Sequence, residues 1–580
     1  MNLELQKGSR SKFLAIIVLG LMAIFVVRLF YLQVIQHDYY VAKANSEQIR
    51  RDTIPAKRGE IFAMDGTAPF KLVMNEAVYT LYADPKTVKE KDLGKIKEVI
   101  RLVAGGNLRS NIDDLLGRTE TRYQILGTKL SRKQAELIKK ENLGGIGFQE
   151  TTQRVYPEGG LAAQTLGFVN AESKGQYGVE ANFDEQLKGT DGLLQSVADV
   201  SDVPLTIGNN NINKPAVNGD DVVLTIDRNV QSYAEKALAA GLERTKAEKG
   251  SVMIMDPNTG KVMAMANLPT YKPAEFTKVQ DGDAFNNAAV SSPYEPGSVI
   301  KTLTVATGLD RNVIQPDSTY NNTDKIKVGD RVIENLSKGR TGNITIQKAL
   351  NDSLNTGMVT IAQRLGDGNS VNQASRDIMY NYFHERFGLG KRTGIEVTGE
   401  VGGTVVKPDN SSGAAVSYAT MSFGQGMNVT MVQVCAAFAS IINGGTYYSP
   451  TVYGGVMNGD SFKQRAVAPA RSNVISADAS LKARSMIREA RQVYYSKSDK
   501  AGYEVGGKTG TSQTIVNGQY SNDQTIGSYI GYGGDSKPKY VIMVQVSGKN
   551  MNMQGGRDAM PIFTDISNWM IDYLKLQPQQ

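Results

Sequence analysis

Residues 294–304 read YEPGSVIKTLT. Pro296 and Gly297 interrupt the chain, and Ser298 then opens an apolar stretch in which Lys301 follows one helical turn later. Two interpretations compete for Ser298: it is the N-cap of a helix, or it is a nucleophile whose base lies one turn away. The S-x-x-K pattern alone favours the cap, so the choice depends on what accompanies it elsewhere in the chain.

The same S-x-x-K pattern recurs at two other places. Ser9 and Lys12 precede a long apolar segment, whereas Ser536 and Lys539 enclose Pro538 within a turn. Neither of these serines opens an apolar helix. Ser298 is therefore the candidate nucleophile of the three.

As a catalytic pair, Ser298 and Lys301 have a clear physical basis. Both side chains fall on one face of a helix, and a helix N-terminus favours negative charge developing near the hydroxyl. The sequence neighbours of the lysine are apolar: Val299, Ile300, Leu303 and Val305. Burial among them would lower the pKa of the amine, and a neutral lysine can take the serine proton.

Composition argues against several other kinds of site. The chain has 580 residues, enough for two or three domains, and its 41% hydrophobic and 21% charged residues indicate a globular protein. A net charge of +7 without a Lys/Arg run argues against nucleic-acid binding. The two histidines, His37 and His384, are too few for a His-rich metal site and offer little to a Ser-His-Asp triad. The single cysteine, Cys435, lies in an apolar run and reads as a small buried hydrophobe.

The N-terminus predicts a membrane anchor. Residues 13–27 read FLAIIVLGLMAIFVV, and the apolar segment continues past Arg28 to about residue 35, which is long enough to cross a bilayer. The basic residues that precede it are Lys7, Arg10 and Lys12. The positive-inside rule then places residues 1–12 in the cytoplasm and exports everything after residue 35. A cleavable signal peptide is the alternative, but no small-residue cleavage site follows the apolar core.

The exported body divides into two parts. Residues 36–205 mix short strand-like and helical runs, and the Asn/Asp/Gly-rich stretch at 202–222 predicts a linker or long loop. After it, the sequence predicts a strand followed by a helix at 222–247 and a strand hairpin at 250–268. Near the end it predicts a second strand pair at 526–548 and a closing helix at 560–576. Strands at both ends with helical sequence between them indicate an α+β fold with an antiparallel sheet flanked by helices.

Two further motifs favour the nucleophile over the cap. Ser353 and Asn355 form S-x-N within ALNDSLNTGM, and they can supply a second hydroxyl and an amide that binds a substrate carbonyl. The stretch VGGKTGTSQT carries Lys508 and Thr509, which can bind a carboxylate, followed by Gly510. Glycines on both sides of this pair suit a strand that a substrate backbone approaches closely. The main-chain N–H groups of Ser298 and Thr511 could together form an oxyanion hole. This trio of motifs, in this order, is typical of penicillin-recognising serine enzymes.

With these motifs, nearly the whole chain resembles a class B penicillin-binding protein, a membrane-anchored peptidoglycan D,D-transpeptidase. AKRGEIFAMDGT (56–67) resembles the R-G-x-I-x-D-R-N-G box that opens the non-catalytic module of that family, although Ala63 and Met64 depart from it. RVYPEGGLAAQTLGFV (154–169) and YGVEANFDEQLKGTDG (177–192) resemble later boxes of the same module. The matches in the catalytic part are LTIDRNVQ, YEPGSVIK, SFGQGMNVT and GGKTGTSQT.

The resemblance implies a domain organisation. It predicts a cytoplasmic N-terminus at 1–12, a transmembrane helix at 13–35, a non-catalytic pedestal of the penicillin-binding protein dimerisation type at 36–205, and a transpeptidase domain at 206–580. The pedestal is expected to be an elongated α+β module that carries the penicillin-binding fold.

The resemblance also implies a mechanism. Ser298 attacks a donor stem peptide that ends in D-Ala-D-Ala, Lys301 is the base, and Ser353 relays a proton to the leaving D-Ala. The residues implied to bind the substrate are Asn355, Lys508, Thr509, Gly510 and Thr511. An acceptor amine then resolves the acyl-enzyme to give a cross-link, and β-lactams acylate Ser298 stably. No metal or organic cofactor is implied.

The resemblance also implies partners for the protein, and it leaves other functions open for the same acylation site. ANLPTYKPAEF (266–276) and FNNAAVSSPYEPGS (285–298) look more like the division type than the elongation type, which implies a SEDS-family glycosyltransferase and other membrane division proteins as partners. The other readings of the same acylation site are an elongation-type transpeptidase, a membrane-bound β-lactam sensor and a D,D-carboxypeptidase or other hydrolase.

Overall fold

The structure is a computed structural model of the chain that describes residues 7–40, 43, 49–197, 212–409, 411, 413–516 and 519–579. Residues 202–211 of the predicted linker (202–222) lie outside the described residues, and so does the predicted domain boundary at 205. The rest of that stretch begins with a short strand.

The strands of the chain carry the labels β1 to β21. In chain order they are β1 (Ile49–Ile54), β2 (Ile61–Asp65), β3 (Ala68–Ala83), β4 (Gln124–Leu130), β5 (Ile146–Val155), β6 (Phe168–Val169), β7 (Gly175–Gln176), β8 (Gly192–Val197), β9 (Ile212–Lys214), β10 (Asp221–Asp227), β11 (Lys249–Met255), β12 (Val262–Leu268), β13 (Thr319–Asn322), β14 (Lys325–Val328), β15 (Arg331–Glu334), β16 (Gly342–Thr345), β17 (Tyr453–Asn458), β18 (Ser461–Gln464), β19 (Glu504–Val516), β20 (Gln519–Gly534) and β21 (Pro538–Ser547).

The α-helices carry the labels α1 to α17. In chain order they are α1 (Lys7–Phe30), α2 (Leu93–Ala104), α3 (Ile112–Leu116), α4 (Arg132–Lys140), α5 (Ala163–Leu166), α6 (Gly178–Asn182), α7 (Asp184–Lys188), α8 (Arg228–Thr245), α9 (Ala288–Ser291), α10 (Lys301–Asp310), α11 (Ile346–Asn351), α12 (Asn355–Arg364), α13 (Gln373–Tyr380), α14 (Ala414–Met421), α15 (Met431–Ile442), α16 (Ala477–Tyr495) and α17 (Met560–Tyr573).

The chain separates into two compact units. The first comprises residues 1–57 and 189–219 and contains α1 and a small sheet in the order β1-β8-β9. Within it, Arg10–Ile35 forms a continuous helical segment of 26 residues that is long and apolar enough to cross a membrane. This helix fits the predicted single-pass anchor.

The second unit, residues 58–188 and 220–580, is built around a five-stranded antiparallel sheet in the order β12-β11-β21-β20-β19. The predicted hairpin, the second strand pair and the closing helix are all present as β11–β12, β20–β21 and α17. Strands bury alternate residues on opposite faces, and β11 does so on both sides. Val252 and Ile254 pack in one core with α8 and α17, whereas Met253 and Met255 pack in the other with α10. The predicted α+β fold with a helix-flanked antiparallel sheet is confirmed.

A second sheet of the same unit joins early and late parts of the chain. Its order is β18-β17-β10-β2-β3-β4, with β5 pairing β3 at the side. Strand β10 pairs with β2 in parallel and with β17 antiparallel, so strands from both sides of the predicted boundary at 205 share one sheet. Beyond β3, helices α2 to α4 cover β4 and β5 around a separate apolar core.

An ion-pair cluster lies inside this early part of the second unit. Glu180 is fully buried and accepts hydrogen bonds from Arg58 at 2.7 and 2.9 Å and from Arg154 at 2.7 Å. Arg58 also pairs with Asp184 at 2.7 Å. Although burial opposes its charge, the Glu180 carboxylate holds the pKa of Arg58 above its usual range. The three sequence boxes quoted for the non-catalytic module therefore meet at one buried site.

Candidate active site

Ser298 lies in a tight turn that leads into α10. Residues Gly297–Ile300 form a single 3-10 turn, and the α-helix begins only at Lys301. The turn starts after Pro296, so Ser298 lies within the first turn and the N-cap interpretation of its side chain is wrong. Ser298 is partly exposed, whereas the residues on either side of it are buried.

Gly297 allows this turn to approach a neighbouring strand. Its φ is +61°, and a Cβ at this position would lie 2.8 Å from the carbonyl oxygen of Thr511. Its N–H donates to the carbonyl of Gly424 at 2.9 Å, and that residue belongs to the quoted stretch SFGQGMNVT. A side chain at residue 297 would therefore push the turn that holds Ser298 away from the strand of Thr511.

Lys301 is fully buried and points its amine at the S-x-N motif. Its Nζ donates to Ser353 O at 2.6 Å, to Ser353 Oγ at 3.1 Å and to Asn355 Oδ1 at 2.8 Å. Among the residues that the structure describes, no carboxylate pairs with this lysine. Burial, together with the nearby charge of Lys508, holds the pKa of the Lys301 amine well below its usual range. The lowered pKa agrees with the sequence analysis, and the role of this amine as a base stays a prediction.

The S-x-N motif lies in the turn between α11 and α12. Ser353 adopts a left-handed backbone conformation with φ +56°, which is unusual for a residue other than glycine and is typical of functional sites. Asn355 is the first residue of α12, and its Nδ2 donates to the carbonyl of Glu334 at 2.9 Å. An amide has two N–H donors, so one remains for a substrate carbonyl.

The K-T-G motif lies on β19, which is an edge strand of the five-stranded sheet. Lys508 is buried, and its Nζ contacts Thr509 Oγ1 at 3.2 Å and the carbonyl of Thr509 at 3.3 Å. Burial lowers the pKa of Lys508 to about 7. Near neutral pH this lysine is therefore partly protonated.

Gly510 lets β19 come close to the serine turn. A Cβ at Gly510 would lie 2.9 Å from Val299 Cγ1 and 3.1 Å from the carbonyl of Pro296. The motif has two more glycines, Gly506 and Gly507, which were predicted to let a substrate backbone approach the strand. Cβ atoms at these two positions would instead meet the buried rings of Tyr532 and Tyr529. Of the three glycines, Gly510 is the one that brings the strand close to the turn that holds Ser298.

Thr511 continues the same strand. Its hydroxyl accepts from the main-chain N–H of Gly555 at 3.2 Å, and its carbonyl faces Gly297. All eight sequence-predicted residues therefore lie on three segments: the start of α10 with the turn before it, the start of α12 with the turn before it, and β19.

A cavity of about 320 Å³ opens beside these segments. Ser353, Lys508 and Thr509 line it, together with residues that include Arg340, Asp352 and Tyr494. A binding space thus adjoins three of the predicted site residues.

The sequence did not reveal the network that holds Asn355. Asn335 is buried and accepts from the main-chain N–H of Thr356 at 3.0 Å, and its amide donates to Asn322 at 3.1 Å. The hydroxyl of Thr356 also donates to Asn322 at 2.8 Å. These contacts fix β15 and its Glu334 carbonyl against the start of α12. The sequence offered one clue to this network, which is Asn335 itself. It is an amide between Glu334 and Leu336 for which the sequence alone suggests no role.

Comparison with known proteins agrees with this geometry. The family model described as penicillin binding protein transpeptidase domain matches residues 250–568, and the model of the penicillin-binding protein dimerisation domain matches residues 53–224. The chain is 26% identical to a probable peptidoglycan D,D-transpeptidase, PenA, of Neisseria meningitidis, over 98% of this chain and 94% of that protein. It is 28% identical to the peptidoglycan D,D-transpeptidase FtsI of Escherichia coli, over 96% and 90% of the two chains. It is also 28% identical to the stage V sporulation protein D of Bacillus subtilis, over 98% and 87%.

Solved structures show the same fold. Penicillin binding protein 2X of Streptococcus thermophilus superimposes with a TM-score of 0.72 at 23% identity, covering 91% of this chain and 80% of that one. Penicillin binding protein 3 of Mycobacterium tuberculosis, solved with aztreonam, gives a TM-score of 0.68 at 24% identity, covering 91% and 98%.

The transpeptidase model alone matches more than half of the chain, and the dimerisation model matches most of what precedes it. Together with the S-x-x-K, S-x-N and K-T-G residues gathered around one buried lysine, these matches identify the family. The chain belongs to the class B penicillin-binding proteins, which are serine-type peptidoglycan D,D-transpeptidases.

Proposed function

We propose that Ser298 is the nucleophile of this transpeptidase and that Lys301 is its base. The observation that carries the proposal is the surroundings of Lys301, a buried amine whose three polar contacts all lie in the S-x-N motif and include no carboxylate among the described residues. Burial holds the pKa of this lysine well below its usual range, which favours the neutral amine, and a neutral amine can accept the serine proton.

Acylation then follows from the positions of the three motifs. Ser298 Oγ attacks the carbonyl carbon between the two D-alanines of a donor stem peptide, and its proton passes to Lys301. The new ester bond forms as the peptide C–N bond breaks, and Ser353 relays the proton from Lys301 to the leaving D-Ala nitrogen. The contact of 3.1 Å between Lys301 Nζ and Ser353 Oγ supports this relay.

The remaining site residues bind and orient the donor in this proposal. Asn355 holds a substrate carbonyl through its free N–H, while Lys508 and Thr509 bind the terminal carboxylate. Gly510 and Thr511 let the donor backbone lie along the edge of β19, and the N–H groups of Ser298 and Thr511 stabilise the oxyanion. The close approach of Gly510 to the serine turn supports this arrangement.

The proposed topology places the active site outside the cytoplasm. Residues 1–12 carry the positive charge expected on the cytoplasmic side, 13–35 span the membrane, 36–205 form the pedestal and 206–580 the transpeptidase domain. Family members bind peptidoglycan stem peptides and β-lactams. The proposed partners are a SEDS-family glycosyltransferase, which polymerises the glycan strand, and other membrane proteins of cell division. The transmembrane helix is the proposed contact surface.

The proposed cellular role is septal cell-wall synthesis, which the likeness of residues 266–276 and 285–298 to the division type supports. Depletion of the protein in its source organism tests this role. We expect cells to form filaments. Rounded cells would instead indicate the elongation-type enzyme.

The nucleophile is tested by labelling the full-length protein with fluorescent penicillin. We expect one covalent label, at Ser298, and none in Ser298→Ala. Ser292→Ala, at an exposed serine close by in the chain, is the matched control and should label normally. A labelled Ser298→Ala protein would show that another residue is the nucleophile.

A further inference from the structure

The turn that carries Ser353 has a backbone conformation that serine rarely adopts. Helix α11 ends at Asn351, and Ser353 takes the left-handed conformation that glycine usually supplies just after a helix. The main-chain N–H of Leu354 donates to the carbonyl of Ala349 at 2.8 Å and closes the turn. Because this conformation costs free energy in a residue with a side chain, the surrounding contacts have to stabilise it.

The residue before this serine, Asp352, is an unusual choice for its place in the fold. Its side chain is only 2% exposed, so its charge is largely removed from water. It also caps the C-terminal end of α11, where the last carbonyl groups already carry partial negative charge. Burial and the helix end both oppose a carboxylate here. Other contacts must therefore favour it.

Three side chains stabilise this carboxylate. Lys348 lies one turn earlier on α11 and pairs with it at 3.0 Å, and Arg340 pairs with it at 3.4 Å. The hydroxyl of Tyr494, which lies on α16, donates a hydrogen bond to it. Although burial opposes the charge, the hydrogen bonds from Tyr494 and Lys348 hold the pKa of Asp352 below its usual range. Asp352 thus joins the end of α11 to α16 and to the loop of Arg340.

The position of this turn sets the contacts of the buried lysine. Ser353 offers two oxygens to Lys301 Nζ, its carbonyl at 2.6 Å and its hydroxyl at 3.1 Å. Both oxygens belong to the residue that directly follows Asp352, so a shift of the turn would move both. A misplacement of about 1 Å at a reacting group can cost roughly a hundredfold in rate.

We infer that Asp352 is a positioning residue for the reaction, because its carboxylate fixes the left-handed turn in which Ser353 Oγ faces Lys301. The inference rests on the proposed function, in which Ser353 relays a proton from Lys301 to the leaving nitrogen. Asp352 takes no proton in this step and acts through Ser353.

The test compares two acyl donors that differ in the group that leaves. When Ser298 Oγ attacks a penicillin, the amide C–N bond breaks, and the nitrogen takes a proton from Ser353 while Ser353 takes one from Lys301. When Ser298 Oγ attacks a thioester, the C–S bond breaks and a thiolate leaves with the electron pair. A thiolate is a stable anion that needs no proton, so Lys301 keeps the one it received from Ser298. The ratio of the two acylation rates therefore reports on the relay through Ser353.

The main variant is Asp352→Asn in the full-length protein, which keeps the size of the side chain and removes its charge. We expect acylation by fluorescent penicillin to slow by about tenfold, less than the cost of a full 1 Å displacement, and acylation by the thioester to change by less than about threefold. Tyr494→Phe removes one hydrogen bond to the same carboxylate. It should give a smaller loss of the same kind, and it keeps the test valid if Asp352→Asn does not fold.

Two further variants separate positioning from general stability. Gln347→Met is the matched control, because Gln347 also joins α11 to α16, by donating to the carbonyl of Met486 at 3.1 Å, but lies farther from Ser353 along the chain. It should leave the ratio of the two rates unchanged even if the melting temperature falls. Ser353→Ala is the reference for a lost relay, and it should slow penicillin acylation selectively by about a hundredfold or more.

Three results would overturn the inference: Asp352→Asn slows both donors equally, it slows neither, or Gln347→Met lowers the ratio by as much. The proposed function fails in a different way. If Ser353→Ala slows both donors equally, the relay itself is wrong, and that result comes from a variant in which Asp352 is intact.

Discussion

The second unit contains two sites at which basic side chains are buried, and the surroundings of the two sites are opposite. In the non-catalytic part, Arg58 and Arg154 converge on the buried carboxylate of Glu180, with Asp184 as a second partner. In the catalytic part, the partners of Lys301 are a carbonyl, a hydroxyl and an amide oxygen, none of which carries a charge. The pKa of Arg58 lies above its usual range, because its carboxylate partners outweigh the effect of burial, whereas burial holds the pKa of Lys301 well below its usual range.

The difference separates a structural site from a chemical one. A buried arginine paired with carboxylates stays charged and holds segments together, because breaking the pair leaves an uncompensated charge. A buried lysine without a carboxylate is the easier group to neutralise, and a neutral amine can accept a proton. The predictions below test this contrast from the largest expected effect to the smallest.

The largest effect is expected for Lys301→Met, which keeps the length of the side chain and removes the base. Acylation by fluorescent penicillin should slow by roughly a thousandfold, the contribution typical of a general base. The variant should still fold, because no carboxylate partner is left behind. A stopped-flow or gel measurement of the acylation rate checks this, with circular dichroism as the control for folding. Acylation at the normal rate would show that Lys301 is not the base.

The second effect concerns stability rather than chemistry. Arg58→Met leaves Glu180 buried with one of its two arginine partners removed, and it should lower the free energy of unfolding by about 3–5 kcal/mol. Denaturant or thermal unfolding measures it. The acylation rate of the folded fraction should stay close to that of the wild type. An unchanged unfolding midpoint would mean that the buried cluster does not stabilise the fold.

The third effect depends on pH and comes from Lys508. Its pKa is about 7 in the folded protein against an ordinary 10.5, so between these values the unfolded chain binds more protons and stability rises with pH. The rise is at most about 1.4 kcal/mol per pH unit. Lys508→Met should therefore melt higher than the wild type near neutral pH, and the difference should shrink as pH approaches 10.5. A difference in melting temperature that does not vary with pH would contradict the lowered pKa.

The smallest effect on stability is expected for an exposed ion pair, which serves as the comparison for the buried one. Arg132 and Glu136 pair at 2.8 Å on α4, but both side chains are mostly exposed. Water screens such pairs, so Arg132→Met should leave the unfolding midpoint unchanged within error. A loss as large as that of Arg58→Met would show that burial is not what distinguishes the cluster around Glu180.

Much of the fold could be predicted because its signals are local. The hairpin at 250–268, the strand pair at 526–548 and the closing helix show their periodicity within a few residues of sequence. The candidate site residues could also be named, since the spacing of S-x-x-K, S-x-N and K-T-G is itself the signal. Their roles stay predictions until they are tested by substitution.

The rest depends on contacts between distant segments. Nothing near Arg58 in the sequence indicates that Glu180 lies against it, and nothing near Asn355 indicates the support from Asn335. The 3-10 turn at Gly297 depends on the strand that Thr511 occupies. Strand β10 pairs in parallel with β2, which a division of the chain at residue 205 did not suggest. Such contacts depend on the tertiary fold, and the hydrophobic periodicity of the sequence does not encode them.

The central claim is that Lys301 is neutral in the working enzyme because it is buried without a carboxylate. The pH dependence of the acylation rate tests it most directly in the full-length protein. We expect the acid limb of that profile to lie well below the ordinary lysine value of 10.5, so that the rate has levelled off before the pH reaches that value. A rate that keeps rising until about 10.5 would mean that the lysine is charged at neutral pH, and it would contradict this account.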